Sequence, residues 1–453
     1  MGGEPLMHLP LAPDLLTAIV AAPGILFLAL SACWLLGQEI RETIVARFTA
    51  LVFGAMAAGM ALLYLAIRTN GNYAVTVRLG DWFVSGDYRF PLVLFLDRLS
   101  FPLVTLTVIL CGLVGSFSVR YLHRDRGFVR FFLLLYLFAF GSLVVFTAGS
   151  FDLLIGGWEL VGISSVLLVA FFQERREPVR NALRVFGYYR VADLGLVFGV
   201  FVLHHALRST SSSALFHGEW PAQTASLDAS TATVLGLSLL FAAAGKSAQI
   251  PFCGWLPRAM EGPTPSSAIF YGAISVHMGA YLLLRSEPLL VTSSVAGGAT
   301  VAVGLLTALV GTLSHRTATD AKTSLALASM TQVGIIFVEI GLGFSWLATA
   351  HMVGHATVRT MQFLRAPSML HDYRRMHAAS GGQLSETGKH LEEWLPAPVQ
   401  LWLYRFGLER GSFDVIVDRF VSAPLVRLSR LLARFDPARD ARRPIPAPRR
   451  IDA

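Results

Sequence analysis

Three ionisable side chains stand in apolar stretches of the sequence that are long enough to cross a membrane. Lys246 lies in the run 231–250, and Glu159 lies in the middle of 151–172. Asp193 lies in a third run. Burial away from water disfavours a charged ammonium, so a buried lysine can gain and lose a proton, whereas an arginine keeps its proton. Only three of the 37 basic residues are lysines, and the position of Lys246 therefore predicts proton transfer inside a membrane.

Glu159 and Lys246 lie on different predicted spans and are natural partners for each other. A carboxylate at this depth must face the protein interior, where it needs a counter-charge. One interpretation is a proton relay, in which the two side chains lose their charges one after the other as the proton passes. The other is an inert structural ion pair. Arg190 and Asp193 are three residues apart and predict a local salt bridge along one helix. A second interpretation makes Asp193 a modulator of Glu159.

The sequence after Lys246 predicts a broken helix near 246–257. Pro251, Gly254 and Pro257 follow within eleven residues, and proline removes a backbone donor from a helix. Broken helices are tolerated at membrane depth where they line a cavity, and their ends supply fixed dipoles to an ion site. A lysine beside such a break is a more specific signal than either feature alone.

Further residues qualify as members of a proton pathway. His351 and His355 share one helical face with Arg359, and histidine titrates near neutral pH. Hydrogen bonding between helices is the alternative fate for these histidines. His277 is a similar, minor candidate. Lys322 opens a predicted span, where it either joins the pathway or simply extends to the inner membrane surface.

The composition places these residues in a membrane protein. Hydrophobic residues make up 54% of the chain, charged residues 15%, and the mean hydropathy is +0.58. A membrane-spanning helix needs about 20 apolar residues. Such runs predict an all-α polytopic protein with about eleven spans, at 13–37, 45–67, 99–121, 128–148, 151–172, 185–206, 231–250, 264–285, 288–313, 323–344 and 346–365.

Arginines set the predicted orientation. They collect in the loops 120–130 and 173–184, which two spans separate, so both loops lie on the cytoplasmic side. The N-terminus is then outside and the C-terminus inside. In part of the loop 68–98, apolar residues occur at every second position, and this alternation predicts an external β-hairpin.

The chain divides into three predicted parts. Residues 1–366 form the transmembrane domain, 367–435 form cytoplasmic amphipathic helices that dock on the membrane surface or on a partner, and 436–453 form a disordered basic tail. The net charge of +8 suits the anionic inner leaflet, and binding to nucleic acid is not expected. Three scattered cysteines indicate neither a disulfide framework nor a metal motif.

Five motifs, in this order along 90–365, resemble the antiporter-like subunits of respiratory complex I and of Mrp sodium/proton antiporters. They are Trp158–Gly162, Arg190–Asp193, Gly245–Pro251, Gly262–Ala268 and Ser329–Gly334. The resemblance implies inverted helix repeats, each with a broken helix, and a hydrated axis of charged residues at mid-membrane. The second repeat is expected to be truncated, because no second broken helix with a lysine follows.

The resemblance also implies roles for individual residues. Glu159 and Lys246 would be the coupled acid and base of a half-channel, with Asp193 as a neighbour. Lys322 would be the central connecting lysine. The axis would continue through His351, His355 and Arg359. Arg359 stands where the respiratory subunits carry a lysine.

The shortened form and the segment 351–368 resemble the DabB family, the membrane subunits of the DAB inorganic-carbon accumulation complex of bacteria. This resemblance implies a proton-conducting, non-enzymatic subunit in the cell inner membrane that energises CO2 and bicarbonate accumulation. Its partner would be a DabA-like zinc protein similar to β-carbonic anhydrase, so zinc is expected on the partner and no cofactor on this chain. Two alternatives are an Mrp-type or respiratory NADH-quinone oxidoreductase subunit and a non-conducting membrane anchor.

Overall fold

A computed structural model describes two parts of the chain. The first is residues 11–366, without 39, 71, 72, 87 and 222; the second consists of 376–378, 394–417, 419–420 and 423–432. The predicted disordered tail, 436–453, lies outside the described residues, as does most of 367–393.

The described chain is mostly helical. Its helices, apart from the short turns given below, are α1 (Leu11–Leu35), α2 (Glu42–Asn70), α3 (Ser100–Tyr121), α4 (Phe128–Thr147), α5 (Phe151–Val169), α6 (Arg176–Leu207), α7 (Ser212–Leu215), α8 (Ala229–Lys246), α9 (Trp255–Arg258), α10 (Thr264–Ser266), α11 (Met278–Arg285), α12 (Glu287–Thr292), α13 (Ser294–His315), α14 (Ala321–Gly341), α15 (Ser345–Arg365), α16 (Ala397–Leu408), α17 (Phe413–Val417) and α18 (Ala423–Leu432).

Within this described part, ten helical stretches are long and apolar enough to cross a membrane, which confirms a polytopic all-α protein. The eleventh predicted span, 346–365, is helical as α15 but is not among the ten. Its polar residues, which include His351, His355 and Arg359, make it too polar to be counted as a membrane-spanning helix by composition alone. It packs against α14, α3 and the interrupted helix 264–285, so protein supplies the contacts that these side chains need.

The predicted hairpin in 68–98 is confirmed. Strand β1 (Val75–Ser85) pairs antiparallel with β2 (Tyr88–Leu96). A second, minimal ribbon pairs β3 (Phe216–His217) with β4 (Thr224–Ala225). Both ribbons lie on the connections at one end of the bundle, where Gly149, after α4, donates a backbone hydrogen bond to Val93 of β2.

The predicted break at 246–257 is confirmed, and a second interruption follows it. Helix α8 ends at Lys246, and regular helix resumes only with α9 and the 3-10 turn Ala259–Glu261. The run 264–285, predicted as one continuous span, consists of α10, a π-helical turn at Ser267–Tyr271, a 3-10 turn at Ser275–His277 and α11. Every residue from 262 to 290 is buried. Protein contacts therefore surround this second irregular segment, as backbone at membrane depth requires.

Small residues bring the flanking helices into close contact. A Cβ added to Gly304 of α13 would lie 2.5 Å from the carbonyl oxygen of Gly334 in α14. Such backbone contact is typical of helix pairs packed in a membrane. Beyond the spans, α16 packs against α13, where Gly407 abuts the carbonyl of Leu313. The first of the predicted tail helices thus docks on the transmembrane part.

Candidate functional site

Lys246 is the last residue of α8 and is 1% exposed. Its Nζ donates a 2.9 Å hydrogen bond to the carbonyl of Trp158 in α5 and lies over the rings of Trp158 and Tyr189, 4.8 and 4.6 Å from their centroids. A Cβ at Gly162 would be 3.2 Å from Nζ, so a side chain there would require the ammonium to shift by a few tenths of an ångström. The glycine therefore makes the room that the lysine occupies.

Two carboxylates lie beside Lys246 and share one arginine. Arg190 Nη2 donates to Glu159 Oε2 and, at 2.7 Å, to Asp193 Oδ2. The indole of Trp158 donates to the other oxygen of Asp193 at 2.6 Å. Trp158 thus connects Asp193, through its side chain, with Lys246, through its carbonyl.

The structure changes the predicted pairing of these charges. The local bridge between Arg190 and Asp193 is present, but Glu159 pairs with Arg190 and not with Lys246. Among the described residues, no carboxylate forms an ion pair with Lys246. Glu159 and Arg190 are also partly exposed, with 28% and 36% of their side chains accessible, whereas Asp193 is buried. Aromatic faces and a carbonyl hold the lysine in place of a counter-ion.

The break after Lys246 is tied to neighbouring helices and contains polar atoms that no protein group satisfies. Thr307 of α13 accepts a 3.0 Å hydrogen bond from the Ile250 N–H. Gly279 of α11 abuts α8 so closely that a Cβ would be 2.4 Å from Ser247 Oγ. The hydroxyl of Ser247 and the amide oxygen of Gln249 are buried without a protein partner. Buried polar groups of this kind are usually satisfied by ordered water.

A histidine pair lies at the second interruption. His277 Nδ1 donates to the carbonyl of Ala273, which only accepts, so His277 Nε2 is left as an acceptor. His355 Nδ1 is 3.0 Å from that nitrogen and must donate to it. His355 Nε2 is then a buried nitrogen without a protein partner. The predicted interhelical hydrogen bond of these histidines is therefore formed, and one nitrogen remains open to a proton.

His351 extends this group toward α14. Its Nδ1 is 2.9 Å from Glu339 Oε1, and its Nε2 is 3.0 Å from Gln332 Oε1. The rings of His351 and His355 stand edge to face, 6.4 Å apart. Arg359 lies one turn further along α15, half-buried, with its Nε unpartnered.

Lys322 lies apart from both clusters. Its Nζ donates to the carbonyls of Met260 and Gly262, at 2.6 and 2.7 Å. These carbonyls end the 3-10 turn that follows α9, where the backbone has no helical donors. Lys322 thus caps the turn that follows the broken helix, and its two predicted roles, central connecting lysine and extension to the surface, stay predictions.

One buried charge pair was not predicted. Arg285 at the end of α11 forms a two-pronged bridge with Asp97, with N–O distances of 2.7 and 2.9 Å. Burial raises the pKa of the Asp97 carboxyl, but the charge and hydrogen bonds of Arg285 outweigh this effect and hold it below its usual value. Asp97 directly follows β2, so this pair fixes the hairpin to the buried span. Since 188 residues separate the partners, no local pattern indicates the pair.

The fold and these buried charges define a polytopic, antiporter-like membrane protein. The chain belongs to the NADH:quinone oxidoreductase/Mrp antiporter transmembrane family, whose model matches residues 148–390. A second model, the N-terminus of NADH-ubiquinone oxidoreductase (complex I) chain 5, matches residues 82–132.

Curated relatives agree with this family. NADH-ubiquinone oxidoreductase chain 5 of Neurospora crassa is 33% identical over 313 residues, which are 69% of this chain and 43% of that protein. NADH-quinone oxidoreductase subunit L of Mycobacterium tuberculosis is 33% identical over 325 residues, 71% of this chain and 51% of that one. The chain therefore spans about half the length of the curated relatives that it matches.

Two solved structures share the fold. The Mrp complex from Dietzia sp. gives a TM-score of 0.64 at 26% identity, covering 77% of this chain and 37% of the matched chain. The archaeal membrane-bound sulfane sulfur reductase gives 0.62 at 17% identity, covering 77% and 70%, which shows the fold alone.

Proposed function

We propose that this chain conducts protons as an antiporter-like subunit of a multi-subunit membrane complex of the Mrp or respiratory complex I kind. The observation that supports this most is the state of Lys246, a fully buried ammonium at the end of a broken helix with no ion-pair partner among the described residues. A buried lysine that no carboxylate contacts directly is held in its charged form less firmly than one in a structural ion pair, so it is suited to exchanging a proton. Structural ion pairs lack this property.

The route proposed here begins at Glu159 and Asp193, which Arg190 holds together. Trp158 links Asp193 to Lys246. From Lys246, water on the unsatisfied oxygens of Ser247 and its neighbours carries the proton across the break to the histidine pair His277–His355. Trp158 hydrogen-bonds both Asp193 and Lys246, and the unsatisfied oxygens beyond Lys246 are the positions where water would complete the route.

The test is proton flux in proteoliposomes containing the complex purified through this chain. Lys246→Met is expected to reduce flux at least tenfold, and Lys246→Arg is expected to do the same because arginine keeps the charge but does not release a proton. Circular dichroism establishes that both variants are folded. Normal flux through Lys246→Arg would show that the group acts by its charge alone, and the relay would be refuted.

A carboxylate pair provides the matched control. Glu159→Gln is expected to slow flux, because the neutral amide neither takes up nor delivers the proton at the start of the route. Glu177→Gln makes the same chemical change at a side chain that is 61% exposed at the start of α6, and it is expected to leave flux unchanged. Equal flux in the two variants would exclude Glu159 from the route.

The proposed orientation places the hairpin outside and the C-terminus in the cytoplasm of a bacterial cell, with the chain in its inner membrane. Its support is the arginine content of the loops after α3 and α5. A single cysteine at Gly86, in the hairpin turn, is expected to react with a membrane-impermeant maleimide added to whole cells. A cysteine at Asp320 is expected to react only after lysis.

A more specific proposal assigns the chain to an inorganic-carbon accumulation complex with a DabA-like zinc protein as partner. Its support is the resemblance of the segment 351–368. Affinity purification with metal analysis of the associated chains decides it. A zinc protein with carbonic-anhydrase-like activity supports this assignment, and Mrp or quinone-reducing subunits contradict it.

The proposal that the chain is a non-conducting anchor makes a different prediction for the same liposomes. An anchor binds its partner and transmits no protons, whether or not the partner is present. The docking of α16 on α13 is compatible with either function, so flux and not partner binding separates them.

A further inference from the structure

A buried carboxyl group stands at the hairpin end of α15, away from the clusters described above. Glu287, the first residue of α12, is 7% exposed. The hydroxyl of Ser345, at the start of α15, donates to Glu287 Oε1. The other carboxyl oxygen is buried and has no protein partner. An acidic group that is buried with one satisfied oxygen is expensive to keep charged.

The carboxyl group lines a cavity that is open to the surface. This cavity has a volume of about 550 Å³, and its wall includes Glu287, Ser345, Phe344 and Trp346. The two aromatic residues are 55% and 54% exposed. Exposed aromatic side chains at a helix end are typical of the boundary between membrane and water. The cavity therefore lies where bulk water meets the protein.

Helix α15 connects this cavity with the histidine pair. It has 21 residues, and with a rise of about 1.5 Å per residue it is about 31 Å long, close to the thickness of the apolar core. His355 is the eleventh residue, so it lies near half depth, about 15 Å from Ser345 along the axis. Thr349 lies between them, 5% exposed, with its hydroxyl bonded to the Ser345 carbonyl at 2.8 Å.

We propose that Glu287 is the proton-exchanging group at the external mouth of the pathway, which runs along α15 past Ser345 and Thr349 to His355. This inference rests on the proposed proton conduction and assigns its exit on the hairpin side. The two ends of the path have matching features, since Glu287 Oε2 and His355 Nε2 are both buried and unpartnered. A chain of water molecules along this stretch of α15 would supply the partner that each atom lacks.

The electrostatic surroundings of Glu287 suit this role. Burial raises the pKa of its carboxyl, and the Ser345 hydrogen bond only partly opposes that effect. The nearest cation in sequence, Arg285, forms its two-pronged bridge with Asp97. On the α15 side, the residues facing the cavity are Ser345, Trp346 and other uncharged groups. Glu287 therefore takes up and releases its proton nearer to neutral pH than an exposed glutamate does.

Two measurements on the full chain in its purified complex test the inference. The first is reaction with dicyclohexylcarbodiimide, which modifies protonated carboxyls in apolar surroundings, read out by peptide mass spectrometry. Glu287 is expected to be labelled, and less so as the pH rises. Glu219 is the matched control, because its side chain is 75% exposed near the same face, and it is expected to remain unlabelled.

The second measurement is proton flux in proteoliposomes. Glu287→Gln is expected to lower flux at least tenfold, whereas Glu219→Gln is expected to keep it within twofold of the wild type. Ser345→Ala, which removes the one hydroxyl bonded to Glu287, is expected to shift the pH dependence of flux without abolishing it.

The outcomes separate this inference from the proposed function. If Lys246→Met stops flux while Glu287→Gln conducts normally, Glu287 is not the mouth, and the proposed conduction stands. If Glu287 is not labelled by the carbodiimide at any pH, the inference is overturned as well. If the wild-type complex carries no protons, the proposed function is refuted, and so is the assignment of Glu287 to the external end of the pathway.

Discussion

Neutralising Asp97 tests whether the buried bridge to Arg285 holds the hairpin on the helical core. Asp97→Asn keeps the shape of the side chain and the acceptor for the backbone N–H groups of Leu99 and Ser100 at the start of α3, so it removes mainly the charge. The side chains of Asp97 and Arg285 are 8% and 4% exposed. Breaking a buried pair by removing one partner costs about 3–5 kcal/mol, because the other charge stays behind unpaired.

The matched control is on the same hairpin. Arg78 and Asp81 form a surface pair at 3.1 Å, with side-chain exposures of 64% and 17%. Exposed pairs of this kind contribute about 0–1 kcal/mol, so Asp81→Asn is expected to cost less than about 1 kcal/mol. The two variants make the same chemical change, one in a buried pair and one at a surface site where Asp81 also lies 3.5 Å from Arg89.

The assay is reversible unfolding of the purified protein in mixed micelles titrated with sodium dodecyl sulfate. Tryptophan fluorescence follows the unfolding of the whole chain, and Trp220 contributes to it from beside the site, where its indole donates to the carbonyl of Leu284 next to Arg285. Adding Arg285→Gln to Asp97→Asn is expected to cost less than the sum of the single losses, with a coupling of about 1–3 kcal/mol. A loss below about 1 kcal/mol for Asp97→Asn, or no coupling, would refute the reasoning.

The bridge also predicts a pH dependence. The folded-state pKa of Asp97 lies below its unfolded value. The stability that it contributes is therefore present above about pH 4, the unfolded value, and is lost as the pH falls through the folded pKa. The difference in stability between wild type and Asp97→Asn is expected to shrink in that acidic window. A difference that is constant with pH would mean that the carboxylate charge is not involved.

The remaining predictions concern close packing and backbone satisfaction around the break. Gly279→Ala is expected to destabilise the protein by about 1–3 kcal/mol in the same micelle assay, because the new methyl group collides with α8. Gly354→Ala, in open space on α15, is expected to be neutral or stabilising by up to about 1 kcal/mol, and equal losses would contradict the packing argument. Thr307→Val leaves the buried Ile250 N–H unpaired and is expected to cost about 1–3 kcal/mol. Thr312→Val is expected to cost less, because the Thr312 hydroxyl is exposed and bonds the Ala308 carbonyl of its own helix and, at 3.4 Å, the Thr331 hydroxyl. The reverse order would exclude Thr307 as a support of the break.

Much of the architecture could be predicted from local sequence. Apolar runs of about 20 residues locate the ten spans, because lipid demands continuous hydrophobic length. Pro251 and Gly254 locate the break after Lys246, because proline removes a backbone donor and glycine is a weak helix former, and both follow closely on the apolar run. The alternation of apolar residues before Gly86 locates the hairpin. These signals depend only on neighbours in the chain, and the structure confirms them.

The interruption of 264–285 was not predictable in the same way. This stretch is apolar and contains proline only at its start, so by composition it resembles an ordinary span. Its π-helical turn and 3-10 turn are surrounded entirely by protein, where contacts with α8 and α15 replace the regular helical pattern. The pairing of His277 with His355 depends on this irregular backbone.

The sequence by itself determined which charges enter the membrane, namely Glu159, Asp193 and Lys246, since a charged side chain is visible in any apolar run. Only the tertiary structure decided how they pair. Arg190 takes both carboxylates, and Lys246 is left to a carbonyl and two aromatic rings. The physical reason is that Coulomb attraction falls with distance, and the distances between side chains on α5, α6 and α8 are set by how closely those helices pack.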